Sequence, residues 1–409
     1  MPASTVPQAA KIFENFYVPR FEILAGGTAV AQSVVRDVIQ VTYNDSTTEI
    51  DSFEITVNNW DSEKRRFKYV GSETSAQSTD PLHTLFEPGS RDFELKLGYG
   101  SELRTLIKGA PATLEPNFPA GGAPTLTVRA LNVLAKLRTK QYRDSWSNKR
   151  ISEIVEDIGR RSGTDGCKRF PLPIRLAPPS VRQREPKLLH LSQDNQFDID
   201  FFLIEARKIG YVVYVDVEQP RRGPAKEVLY FGPSNARNPG VPDISYELKW
   251  GISLIDFAPK LSTANQVKSI EVRSWDRKTN KSIRKKIGAD HPNIRVNRDL
   301  LRFVDPGKGC GGGGGRPREE VVVNEPQFTP DQAERRAVAL MEERLKQLVE
   351  ATGTTVGLPE LRAGQRVRIV GLGARFSGTY FVIKTTHTIN DSGYVTKFTA
   401  RREQGEVAT

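Results

Sequence analysis

Short runs in which apolar and polar side chains alternate dominate the first third of the chain. Ile39, Val41 and Tyr43 alternate with Gln40 and Thr42, and Phe53, Ile55 and Val57 alternate with Glu54, Thr56 and Asn58. Phe93, Leu95, Leu97 and Tyr99 repeat the pattern, as do Leu126, Val128 and Ala130. A period of two turns one face of a strand to a core and the other to solvent, as in a barrel or sandwich. Asn44-Asp45, Pro88-Gly89 and Gly121-Gly122 fall between these runs and predict turns. Residues 1–20 lack the alternation and read as an N-terminal tail bracketed by Pro2, Pro7 and Pro19, with Phe13, Phe16 and Tyr17 able to pack on a neighbour. A first β domain is expected over 21–140.

Near residue 140 the period changes. Ile151, Ile154, Val155 and Ile158 stand at i, i+3, i+4 and i+7, one stripe of a helix. Ser147 is its predicted N-cap, and Gly163 follows the basic turn Arg160-Arg161. Beyond a proline-rich stretch at 171–186, Phe197, Phe201, Ile204 and Ile209 mark a second helix. Asp194 or Asn195 is its expected cap and Gly210 its end, and residues 211–215 read as a buried strand. These elements make an α+β insertion domain over 141–235.

Strands return over 236–409, with residues 267–273 the clearest. A basic, glycine-rich loop is expected at about 284–318. Thr329-Pro330-Asp331-Gln332 then carries an N-cap threonine, a proline at the first helical position and a glutamine at the third. The long helix it opens, over 329–350, presents Ala333, Ala337, Leu340, Met341, Leu345 and Leu348, and Gly353 is its expected stop. Strand patterns close the chain, with Tyr380 and Val382 on one face and Phe381 and Ile383 on the other.

The two β regions resemble each other. Pro88-Gly89, then Phe93, Leu95 and Leu97, a long strand at 106–114, a glycine turn and a closing strand at 126–130 form one block. Ala363-Gly364, then Val367 and Ile369, a long strand at 380–389, the turn Asp391-Ser392-Gly393 and a closing strand at 397–401 form the other. One chain is expected to carry two related β units.

Composition narrows the chemistry. The 409 residues suffice for two or three domains. No apolar run approaches the ~18 residues of a membrane span, and no secretory leader pattern is present at the start. Cys167 and Cys310 are too few for a disulfide framework or a thiolate zinc site. His83, His190, His291 and His387 are scattered, without an i,i+4 pair, and His387 reads as a hydrogen-bonded histidine of a β core. Val367 to Gly373 begins like a dinucleotide fingerprint, but Phe376 stands where the third glycine belongs and a strand pattern follows. Gly307-Lys308-Gly309 has Arg302 where a phosphate loop needs its first glycine. The glycine run 311–315 reads as a connector. Asp198, Asp200 and Glu205 near Phe197, Phe201 and Phe202 read as solvent-side charges of an amphipathic helix. No catalytic, cofactor-binding or metal-binding residue is assigned, no cofactor is expected, and the chain does not read as an enzyme.

Charge is the lopsided feature. The net charge is +11, and residues 260–318 hold 15 Lys/Arg against 5 Asp/Glu, so +10 lies there, densest at Arg284-Lys285-Lys286. Such a patch fits nucleic acid or an acidic protein surface. No recognition helix or stacking platform accompanies it.

Several segments, in order along nearly the whole chain, resemble the phage late-control D family. This is the baseplate hub shared by contractile tails and by the N-terminal part of type VI secretion VgrG proteins. They are Phe53-Glu54-Ile55-Thr56-Val57-Asn58-Asn59-Trp60-Asp61, Leu85-Phe86-Glu87-Pro88-Gly89 and Leu114-Glu115-Pro116-Asn117-Phe118-Pro119. Then follow Asn195-Gln196-Phe197-Asp198-Ile199-Asp200-Phe201-Phe202, Thr263-Ala264-Asn265-Gln266-Val267, and Phe376-Ser377-Gly378-Thr379-Tyr380-Phe381-Val382 with Thr386-His387. The combination is most similar to hubs of phage-tail-like extracellular injection systems. The resemblance implies a mainly β fold with an α+β insertion. Two related β-barrel domains per chain would form a pseudo-six-fold ring in a homotrimer that joins a six-fold inner tail tube to a three-fold spike. VgrG proteins continue into a spike after this region, whereas this chain ends soon after Arg401-Arg402, so a separate spike protein is the expected partner. The inner tail-tube protein and other baseplate proteins are the others. No specific nucleic acid and no stable membrane insertion before contraction are expected. Assembly would take place in the bacterial cytoplasm, and the product would be a virion tail or a released injection particle. The resemblance brings no catalytic residue with it. The competing readings are a cell-wall-degrading tail enzyme, for which no domain is left over, and a nucleic-acid-binding protein using 260–318.

Overall fold

The computed structural model describes residues 18–73, 80–89, 91–138, 140–162, 166–218, 223, 225–234, 245–276, 279–294, 318–324 and 327–405. Phe13, Phe16, Tyr17, Gly163, Cys310 and the glycine run 311–315 lie outside them. The chain is mainly β, and its sheets are largely antiparallel.

Six strands build the first β unit: Pro19–Ala25, Val38–Ser46, Ser52–Asn58, Phe93–Tyr99, Glu102–Asn117 and Thr125–Asn132. The first begins at Pro19, inside what reads as the tail. Numbered along the chain, they lie side by side in the order one, four, five, six, three, two, every pair antiparallel. The alternation is realised: Val41, Tyr43, Phe53, Ile55, Val57, Leu95, Leu97, Leu126, Val128 and Ala130 are all buried in one core. Ile39 departs from it and is 42% exposed. A bulge between Val38 and Gln40 leaves Ile39 without a partner across the ladder and turns it outward. Asn44-Asp45 is not a turn. Both residues lie within Val38–Ser46, because Asp45 is drawn inward by a buried ion pair described below.

A second unit is built from Tyr246–Lys249, Leu254–Leu261, Val349–Val356, Arg366–Val370, Gly378–Asn390 and Gly393–Gly405. Its strands again lie in the order one, four, five, six, three, two. The one difference in sense is that its first strand runs parallel to its fourth. The repeat therefore extends to topology. Among the described residues neither unit closes into a barrel by hydrogen bonding. Gly378–Asn390 is long enough to serve both units: its first half pairs Arg366–Val370, and Lys384 to Asn390 pair Ser46 to Gln40 of the first unit. With the short strand Thr28–Ala29 beside Pro19–Ala25, the result is one continuous thirteen-stranded sheet, open at Leu254–Leu261.

Between the units lies the α+β segment. Helices Ile151–Arg160 and Asp198–Lys208 pack on Tyr211–Glu218 and Lys226–Pro233 around Ile154, Val155, Ile158, Phe170, Phe202, Leu229 and Phe231. The expected caps are displaced. Ser147 belongs to the strand Gln141–Lys149, and Arg150 with Glu153 closes the capping box instead. Asp194 and Asn195 belong to the strand Leu188–Phe197. The second helix buries Ile199, Phe201, Phe202 and Ala206 and exposes Ile204, so its stripe is rotated from the predicted one.

A small sheet, Ser269–Asp276, Lys281–Gly288 and Glu319–Val322, packs on the helix Pro330–Lys346. Arg284-Lys285-Lys286 therefore stands in a strand, not in the predicted loop. Thr329 caps the helix by accepting from the Gln332 N–H at 3.2 Å. The helix ends at Lys346, and Gly353 sits within Val349–Val356, where a Cβ would meet the Phe398 ring.

Candidate assembly surface

Where the two β units meet, polar groups are buried together. The Arg362 guanidinium donates from Nε to Asp45 Oδ2 at 2.6 Å and from Nη2 to the Tyr43 hydroxyl at 2.5 Å. The Ala363 N–H reaches the same Asp45 oxygen at 2.9 Å. Asp51 accepts from the Ser46 N–H at 3.0 Å and the Asn132 amide at 2.8 Å. His387 lies between the Tyr394 hydroxyl, 2.8 Å from Nδ1, and the Leu361 carbonyl, 3.0 Å from Nε2. Burial, and secondly the Arg362 charge, hold the His387 pKa down to about 3, so this ring is neutral. Burial and the neighbouring Asp45 push the Asp51 carboxyl well up. Burial alone would weaken the Arg362 cation, but Asp45 and Tyr43 outweigh it and hold the group protonated. His387 is thus a core histidine, as its position in the strand pattern implies. The network ties the two β units together through buried polar contacts.

The carboxylates near the aromatic helix are also ion-paired. Asp198 is buried and takes Arg169 through both oxygens, at 2.8 and 2.6 Å, with Gln193 at 2.8 Å. Arg169 also reaches Asp144 at 2.5 Å. Glu205 is buried against Lys208 at 2.6 Å, and Asp200 holds Arg138 at 2.7 Å. The expectation of solvent-side charges fails for Asp198 and Glu205, because Arg169 from outside the helix and Lys208 within it compensate their burial. No group of three His, Cys, Asp or Glu that could hold a metal occurs among the described residues. Nor is any helix there long and apolar enough to cross a membrane. A surface cavity of about 300 Å³ is lined by Lys260, Ser262, Asn265, Gln347 and Glu350.

The surface is more informative. Of the unpaired edges that the large sheet presents among the described residues, two carry exposed apolar side chains. One is the outer side of Leu254–Leu261. The other is the second half of Glu102–Asn117, which pairs Thr125–Asn132 on one side only. Large apolar side chains stand exposed beside them: Trp250 at 60%, Ile255 at 58%, Ile252, and Phe118 at 53%. Trp250, Ile252 and Ile255 fall within six residues of one another, the grouping that separates a candidate interaction surface from scattered exposed residues. The basic sheet is partly neutralised within the chain, Lys285 by Glu334 at 3.1 Å and Lys286 by Glu319 at 2.7 Å. Sequence periodicity finds buried faces well, but unpaired edges depend on which strands fail to meet, and nothing local encodes that.

Comparison with known proteins places this geometry. The family model described as the Alg8 N-terminal domain matches residues 16–301, more than half of the chain. No curated protein matches the sequence. Among solved structures, the 43 kDa tail protein of prophage MuSo2 from Shewanella oneidensis matches with a TM-score of 0.60 at 13% identity, covering 94% of this chain and 98% of that one. A tail protein from Neisseria meningitidis matches with a TM-score of 0.57 at 10% identity, covering 95% and 97%. The Escherichia coli c3393 protein matches with a TM-score of 0.51 at 13% identity, covering 95% and 79%. It is described as a type VI secretion component structurally similar to the T4 bacteriophage tail proteins gp27 and gp5. The fold is that of phage tail proteins, in agreement with the resemblance carried by the sequence.

Proposed function

We propose that this chain, which belongs to the family of the Alg8 N-terminal domain, is the structural hub of a contractile tail or phage-tail-like injection particle. It acts as a homotrimer that adapts a six-fold inner tube to a three-fold spike. The observation that carries this reading is the twofold occurrence of one strand order within a single chain. Three such chains present six similar β surfaces, which is the number a six-fold tube requires, while retaining only three-fold symmetry for the spike.

In this reading residues 21–140, with the strand that begins at Pro19, and 236–409 form the ring, and 141–235 stand at its periphery. The role is mechanical: the hub transmits the thrust of contraction to the spike through large buried interfaces and performs no chemical step. Its partners are the spike, the inner tube protein and other baseplate proteins. It is assembled in the bacterial cytoplasm and carried in the finished particle.

Light scattering after size exclusion tests the stoichiometry. The expected mass is three times the 45.7 kDa of one chain, alone or on co-expression with a spike protein. A monomer under both conditions would overturn the reading.

A further inference from the structure

The junction inside each chain implies a second junction between chains. We infer that the free half of Glu102–Asn117 in one copy pairs with the free edge of Leu254–Leu261 in the next. This would repeat between copies the ladder that Gly378–Asn390 makes with Val38–Ser46 inside each chain. The inference rests on the trimeric hub reading and assigns the surface that closes the ring.

The two units can be aligned through their own ladders. In the first unit Tyr43 faces Phe53, Phe53 faces Ala130, and Ala130 faces Pro111. In the second unit Pro259 faces Ala351, Ala351 faces Ala400, and Ala400 faces Val382. Two bulges confirm the correspondence. The shift between Val38 and Gln40 recurs between Leu254 and Asp256, and the shift between Pro111 and Thr113 recurs between Val382 and Lys384. Ile39 and Ile255, the residues extruded at the first of these, are both turned outward.

Within the chain, Thr385 faces Asp45, Thr386 faces Asn44, and Ile389 faces Val41. Carried through the alignment, Thr385 becomes Leu114, Thr386 becomes Glu115, and Ile389 becomes Phe118. Asp45, Asn44 and Val41 become Leu261, Lys260 and Phe257. The predicted pairs across the interface are therefore Leu114 with Leu261, Glu115 with Lys260, and Phe118 with Phe257.

Each of these pairs is complementary: two aliphatic side chains, opposite charges, and two aromatic rings, the combinations that stabilise antiparallel ladders. The second half of Glu102–Asn117 is exposed, and both edges lack a partner strand among the described residues. Trp250, Ile252 and Ile255 sit at the start of the receiving edge, where Phe118 of the next copy arrives. The alignment also sets Pro116 opposite Pro259. Each lacks an N–H, so the ladder skips that step, and each guards its own edge against indiscriminate pairing before assembly.

The test is a disulfide across the predicted register, in the full chain carrying Cys167→Ser and Cys310→Ser. Directly opposed residues of an antiparallel pair lie within disulfide reach. Glu115→Cys with Lys260→Cys, mildly oxidised, should give covalent dimers and then closed trimers on non-reducing gels. Glu115→Cys with Ala258→Cys, two steps out of register, should give an order of magnitude less. Independently, Glu115→Lys should weaken the trimer by light scattering, and Lys260→Glu added to it should restore it.

A trimer by light scattering with no register-specific cross-link, or with an intramolecular one, would overturn the pairing and spare the hub. An open ladder of products beyond three chains would support the pairing and overturn the trimer. A monomer that neither cross-links nor assembles would overturn both.

Discussion

Replacing Arg362 by methionine removes the guanidinium that reaches Asp45, while keeping most of the side-chain volume. Asp45 would then retain the Ala363 N–H at 2.9 Å for Oδ2, and its Oδ1 has no hydrogen-bond partner even in the intact protein. Both residues are almost fully enclosed, Arg362 at 7% and Asp45 at 1% exposure, so water does not take over. Breaking one side of a buried pair costs about 3–5 kcal/mol. The Tyr43 hydroxyl, which also loses its Arg362 donor, adds to that cost. With an unfolding entropy of about 2.1 cal/mol/K per residue over 409 residues, a loss of ~4 kcal/mol lowers Tm by about 5 °C. Calorimetry and urea unfolding followed by tryptophan fluorescence both read this directly. The companion variant Asp45→Leu/Arg362→Met removes both charges and should lose clearly less than the single variant, because an apolar pair of similar volume leaves no charge stranded. If the single variant lost under ~1 kcal/mol, or if the two single losses simply added in the double variant, the joint would not be the coupled element described here.

Three further outcomes follow from the same geometry. His387 has a folded pKa of about 3 against an ordinary 6.5. Its contribution is therefore complete above about pH 6.5 and lost as pH falls toward 3, at about 1.4 kcal/mol per unit. Asp51, whose folded pKa is raised, acts in the opposite sense above its unfolded value. Asp51→Asn should therefore steepen the loss of stability on acidification from pH 6.5 to 4, measured as Tm against pH. Gly364→Ala should cost about 1–3 kcal/mol, since Gly364 has φ +86° and an added Cβ would collide with the Tyr214 ring; an unchanged Tm would refute that packing. Thr329→Ala should cost about 0.5–2 kcal/mol through the lost N-cap, and Thr329→Ser should recover most of it in urea titrations.

Much of the fold was legible where one face of a strand is buried. Phe53, Ile55 and Val57, or Leu126, Val128 and Ala130, carry their orientation in their spacing, and the Thr329 cap carries its helix. The internal repeat was visible as a spacing of strands and turns, although its closure into separate barrels was not realised. What misled were residues whose role depends on a distant partner. Asp45 reads as a turn residue because its compensating charge, Arg362, lies 317 residues away. Asp198 reads as a surface charge because nothing beside it in sequence announces Arg169, and Glu205 because a pair with Lys208 one turn on is as common on an exposed helix face as on a buried one. Ile39 and Ile204 read as core because neither a bulge nor the rotation of a helix about its axis leaves a local signature. The assembly surface was the least legible, since an unpaired edge is defined by the strand that is missing.

That one strand belongs to both units has a consequence for synthesis. Val38–Ser46 leaves the ribosome first, yet its outer partner, residues 384–390, emerges some 340 residues later: Ser46 waits for Lys384, and Gln40 for Asn390. At about 5–20 residues per second the wait is roughly 20–70 s. Throughout that time the nascent chain offers an unpaired edge with an uncompensated Asp45 beside it. The N-terminal half therefore cannot complete its sheet as it is made. Nascent chains halted before residue 378 should remain protease-sensitive at Val38–Ser46, and chains released after residue 390 should not. Production of the folded subunit is then limited by the last part of the chain to appear, and premature termination yields sticky fragments instead of a usable half.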